Sequence, residues 1–223
     1  MTTELRPSIV VVGKMNPAIH HPMWYQAIGA VDDATAAKAI RLPGVVVTSE
    51  VAQLQLDRLQ IQCLRDRWSV DAATENEEQR AFSVTSKVFE ALEHTPVTAF
   101  GLNFTADRTL EDQTPASVAS KKLAGLDVGP ANSTAEFESL TLRFALDDLR
   151  ETEGCWATRL FRSQISLIQG PKLILRVAVN VHHEIKLRGE FGRFDLSRLL
   201  MDGSIVRSTV ASYADSVFQR IED

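Results

Sequence analysis

The chain has 223 residues, 44% hydrophobic and 24% charged, with 11 glycines and 8 prolines, which excludes collagen-like, disordered and disulfide-scaffold classes. Its 24 Lys and Arg against 29 Asp and Glu leave a net charge of −5; such a surface repels a phosphate backbone, so a nucleic-acid partner is disfavoured. Cys63 and Cys155 stand far apart without a CxxC partner, which supports neither zinc nor redox chemistry and fits a reducing cytoplasm.

Ser8 to Lys14 is β-branched and stops at Gly13-Lys14-Met15-Asn16-Pro17, which predicts a buried central strand and a turn. Its apolar run, Ile9 to Val12, is far below the ~20 residues of a membrane span, and no signal-peptide pattern surrounds it; no membrane partner is expected. Met23, Trp24 and Ile28 have helical spacing, and Asp32 or Asp33 can cap a second short helix through Ile40. From Val45 the period changes to two. Leu54, Leu56, Leu59, Ile61 and Cys63 alternate with Gln53, Gln55, Gln60 and Gln62 across Asp57-Arg58, a hairpin with one apolar and one amide face. Asp-Arg is not a favoured two-residue turn, so a longer or bulged turn stays open.

Thr74 with Glu77 has the spacing of a capping box, and Ala81, Phe82, Val84, Val88, Phe89 and Leu92 form the apolar face of a long helix. Val97 to Thr105 reads as another strand. Asp107 to Glu136 is the least hydrophobic stretch, with a short helix predicted by Thr114, Pro115 and Gly125. Leu140, Leu142, Phe144 and Leu146 then mark a strand, Trp156 to Ile168 a second, and Leu173 to Leu187 a third after the turn Gln169 to Lys172. A final helix, about Gly203 to Ile221, carries Val206, Val210, Tyr213, Val217 and Ile221 on one stripe.

These elements predict an α+β fold: two similar halves of antiparallel strands, each closed by a long amphipathic helix packed on one sheet face. The expected division is residues 1–106, a connecting segment 107–136 and residues 137–223, with one continuous domain as the alternative.

Candidate chemistry is sparse. Gly13-Lys14 lacks the upstream glycine and following Ser or Thr of a phosphate loop. Tryptophans Trp24, Trp68 and Trp156 read as core or interface anchors. Neither His20-His21 nor His182-His183 has matched ligand spacing, and no motif calls for a metal or cofactor. In the last strand, parity places His183 with Leu175, Val177, Val179 and Val181 in the core, and His182 with Arg176, Asn180 and Glu184 on the other face. Arg143, Arg176, Asn180 and His182 therefore form the candidate binding set, a local cationic surface in an acidic protein, suited to a carboxylate, a phosphate or an acidic segment. A solvated face with cross-strand ion pairs is the plainer reading.

Gly13 to Ile19 with Trp24, His94-Thr95-Pro96-Val97 with Gly101 to Phe104, and Asn180 to Glu184 together resemble sporadically distributed, uncharacterised bacterial proteins of about this length. That resemblance implies a bacterial accessory locus and carries no reaction or catalytic residue. The resulting expectation is a non-enzymatic cytoplasmic module that engages a protein partner or self-associates, with a protein binding a small anionic ligand, or an enzyme, as the alternative.

Overall fold

The computed structural model describes residues 3–110, 122, 139–145, 150–152, 155–168, 172–187 and 203–222. The β-branched run of the first strand, β1 (Arg6–Gly13), lies at the centre of a sheet. It is followed by α1 (Pro22–Ala27), α2 (Asp33–Arg41), β2 (Val46–Val47), β3 (Val51–Leu56), β4 (Leu59–Leu64), β5 (Arg67–Ala72) and α3 (Glu78–Ala91). Then come β6 (Val97–Thr109), β7 (Ser139–Ala145), β8 (Arg150–Thr152), β9 (Cys155–Ile168), β10 (Ile174–Leu187) and α4 (Gly203–Glu222). The strands make one mixed-order, antiparallel sheet in the sequence β2-β3-β4-β5-β1-β6-β10-β9-β7, with β8 also paired to β9.

One transverse row explains the core. Leu54, Ile61, Val70, Ile9, Leu102, Val181, Phe161 and Phe144 follow one another in register across eight strands. All are buried except Phe144 at the edge, which is 42% exposed. Each buried side chain contributes roughly 1.5–3 kcal/mol relative to an exposed one. The face is covered by α3 against β1 and β5, and by α4 against β6 and β10. Val206, Val210, Ala214, Val217, Phe218 and Ile221 form the buried stripe of α4, while Arg108 from β6 lies 4.4 Å from the Phe218 ring centre. At the junction of the two helices, Arg207 of α4 pairs with Glu75 and with Glu78 of α3. A Cβ at Gly203 would come within 2.7 Å of the Phe82 ring, so a larger residue there would have to push that ring aside.

The first part of the chain is anchored by a buried polar group. Trp68 Nε1 donates to Tyr25 Oη at 3.0 Å, and Tyr25 Oη lies 2.8 Å from His20 Nδ1. With the phenol oxygen accepting from Trp68, its O–H can donate to Nδ1, which leaves the His20 proton on Nε2, a buried atom without a partner among the described residues. Burial lowers the His20 pKa to about 4 and raises that of Tyr25. Burial likewise pushes the Cys63 thiol up to about 12.

Several expectations change here. The Asp57-Arg58 turn is a tight two-residue loop between paired Leu56 and Leu59, with Asp57 at φ 55°. The left-handed residue is held by its own carboxylate, which accepts from Lys38, Arg80 and Thr35. Thr74 makes no side-chain cap bond; its carbonyl accepts from Glu77 N–H in a one-turn 3-10 helix instead. Of the two capping candidates, Asp32 caps α2 through Thr35 N–H at 2.7 Å. The strand expected to end at Thr105 runs to Thr109 because Asp107 and Arg108 still pair with Arg176 and Leu175. The boundary at residue 106 therefore falls inside β6. The predicted helix between Thr114 and Gly125, Leu146 and the turn residues Gln169 to Pro171 lie outside the described residues.

Candidate functional site

One residue along each strand from the apolar row lies a polar row on the opposite face. Gln55, Gln60, Asp71, Ser8, Asn103, Asn180, Arg162 and Arg143 are in register across β3, β4, β5, β1, β6, β10, β9 and β7. Strict alternation puts these side chains on the face away from α3 and α4. Gln55, Gln60, Asp71, Arg162 and Arg143 are exposed, and Ser8, Asn103 and Asn180 are half-buried.

The four residues singled out from the sequence share this face but not one site. Arg176 is spent on Asp107: Nε to Oδ1 is 2.7 Å and the second guanidinium nitrogen lies 2.8 Å from Oδ2. Arg6 also pairs with Asp107. The Arg176 hydrogen bonds hold the Asp107 carboxyl below its ordinary range against the effect of its partial burial, with Arg6 adding to them. Arg143 is four residues along β7 from Ser139, which shares the transverse row of Arg176 through Ser166. That offset separates the two Cα atoms by about 16 Å at ordinary strand spacings. Both charges on one small anion is thus not the geometry; the expected convergence of Arg143 with Arg176 is corrected. Asn180 donates its amide to Asn103 across the β6–β10 pair.

Arg162, not picked out from the sequence, supplies the missing link. It is paired directly with Arg143 on β7 and with Asn180 on β10, and His182 lies diagonally beyond Asn180. Neither arginine has an ion-pair partner among the described residues. Opposed like charges on neighbouring strands repel, and an anion set between them would relieve that repulsion. His182 is half-buried and His183, 1% exposed, lies in the core against Phe100. Desolvation and then the Arg162 charge lower the His182 pKa, with Glu184 opposing them. The signal for Arg162 was present in the alternation of Phe161, Ser163 and Ile165 with Arg162 and Gln164. What the sequence lacked was the register that brings Arg143 opposite it.

Other candidates are absorbed by structure. The backbone N–H groups of Gly13, Lys14 and Met15 donate to Asp66, Pro96 and Arg65 carbonyls, so they cannot cradle a phosphate. His21 Nδ1 accepts from Met23 N–H at the start of α1. Trp68 is fully buried, Trp24 packs against the core, and the Trp156 side chain lies outside the described residues. No three His, Cys, Asp or Glu side chains gather as metal ligands among the described residues, and no helix there is long and apolar enough to cross a membrane. Neither protein-family models nor curated protein sequences match the chain.

Proposed function

We propose that the chain is a non-enzymatic binding module of a bacterial accessory system. In this reading it engages an extended acidic segment of a partner protein on the open face of its sheet, at Arg143, Arg162, Asn180 and His182. The observation that carries this reading is the directly opposed pair Arg143–Arg162, neither of which has an ion-pair partner among the described residues. A segment laid over the sheet can place a carboxylate between the two guanidiniums, converting repulsion into two charge-assisted hydrogen bonds. The amides of Asn103 and Asn180 offer polar contacts beside it.

The same reading takes the fold as two units of like topology. Each has a first strand, a three-stranded meander and a covering helix: β1 with β3-β4-β5 and α3, then β6 with β7-β9-β10 and α4. The order β3-β4-β5-β1-β6-β10-β9-β7 supports it, since it reads alike from both ends with the two first strands joined at the centre. On this view the pairing of β1 with β6 is an interface fused within one chain.

A fluorescently labelled octaglutamate peptide tests the docking face by polarisation at low salt. Saturable binding that weakens at least tenfold, or ~1.4 kcal/mol, in Arg162→Glu supports it, and the affinity must fall as salt screens the charges. Saturation by citrate alone, with no preference for the peptide, favours the small-ligand alternative. Equal binding by wild type and Arg162→Glu overturns the site.

A further inference from the structure

Resting on that docking face, we infer that seating an acidic segment there is coupled to proton uptake at His182, so that the partner is held more tightly as pH falls. The geometry supplies the coupling. His182 is half-buried on β10, two residues from Asn180, whose register partner on β9 is Arg162. Directly opposite His182 stand Gly101 on β6 and Leu160 on β9, neither of which ionises. Among the described residues, the charged groups that face it are Arg162 from β9 and Glu184 on its own strand, while β6 adds the neutral Asn103 diagonally. Among the described residues, α3 and α4 pack on the other face and bring no charge to it.

In the free protein an imidazolium at this position would stand beside an arginine that has no counter-ion among the described residues. Glu184 is exposed and offers only a solvent-screened attraction in return. The neutral ring is therefore the resting form. A carboxylate placed against Arg162 reverses the balance: it neutralises the guanidinium and gives an N–H of the ring an acceptor. The imidazole takes up a proton from solvent as the segment binds, and by linkage the affinity rises with proton concentration until the free ring is itself protonated. One proton taken up fully corresponds to at most a tenfold gain in affinity per pH unit.

Calorimetric titration with octaglutamate at about pH 7 in Tris and in bis-Tris, two cationic buffers of different ionisation enthalpy, tests the coupling through the number of protons exchanged. Wild type should take up a measurable fraction of a proton per peptide, and its affinity should rise several-fold from about pH 7.5 to about pH 6. His182→Gln should show no proton uptake on binding and a flat pH profile, whatever its absolute affinity. Saturable binding without proton uptake in wild type, or uptake retained in His182→Gln, overturns the coupling and leaves the docking face standing. Failure of folded wild type to bind the peptide across this pH range overturns both.

Discussion

The two ends of one polar row behave differently although the backbone beneath them is alike. On the β3–β4–β5 side the row presents Gln55, Gln60 and Asp71; on the β10–β9–β7 side it presents Asn180, Arg162 and Arg143. Under both ends runs the same kind of apolar row, Leu54, Ile61 and Val70 at one end and Val181 and Phe161 at the other, all buried. The covered row bears the stability, while the open row is free to differ in chemistry. The helix layer differs as well. The first region adds α1 and α2 and the buried Trp68–Tyr25–His20 chain, whereas α4 covers the second through an apolar stripe with Tyr213 against Phe144 and Phe161.

The sharpest way to break this comparison is Trp68→Ala. It removes a fully buried ring packed edge-on against Phe89 at 5.6 Å and deprives Tyr25 of its donor. The expected loss is ~3–5 kcal/mol, measured from urea midpoints with an unchanged slope. A loss below ~1 kcal/mol would mean that the aromatic anchor is not what holds the first region together.

The next effect is a pH dependence belonging to the first region. His20 has its pKa lowered from 6.5 to about 4 by burial, so the unfolded chain binds more protons than the folded one between these values. The neutral ring's contribution is complete above about pH 6.5 and is lost as pH falls toward about 4, to a total of about 3 kcal/mol. In His20→Gln the stability should depend less steeply on pH across this window; an unchanged slope would assign the dependence to other groups. Asp57 and Asp107 act lower. Arg80 and Lys38 hold the Asp57 carboxyl down, as Arg176 holds Asp107, so their contributions are lost only as pH falls below the ordinary carboxylate range and through the depressed values.

The smallest effect sharpens the contrast in the second region. Arg162→Gln relieves the repulsion with Arg143 and should raise thermal stability slightly, by about 0.2–1 kcal/mol at low salt, with the gain fading as salt is added. A clear loss of stability would show that Arg162 is serving the fold through contacts of its own. Gain in stability alongside weaker peptide binding is the signature expected of a residue kept for a ligand.

Much of the local structure was legible in the residues. Alternation phased β3 and β4 correctly and put His183 in the core with His182 outside, because a half-buried strand has only two phases and one of them would expose Leu175, Val177, Val179 and Val181. Helical spacing found the buried Ala81, Val84 and Val88 of α3 for the same reason. Thr74 was misread because a capping pattern names a hydrogen bond that a 3-10 turn can supply from the backbone instead. Arg176 follows the plainer reading, a cross-strand ion pair, but its partner was not legible because Asp107 is 69 positions away in sequence.

What the chain determines by itself is therefore the character of each face: period two or 3.6 in a local stretch decides which side chains seek the core. What only the tertiary structure decides is which strands become neighbours and in what register. Hydrogen bonding between β7 and β9 sets Arg143 against Arg162, and pairing of β6 with β10 sets Asp107 against Arg176. One arginine is left with a like charge opposite it and the other with a counter-ion, although in the sequence both are simply polar residues on alternating strands. Electrostatic energy depends on distance, and those distances are fixed by long-range strand pairing that local periodicity does not encode.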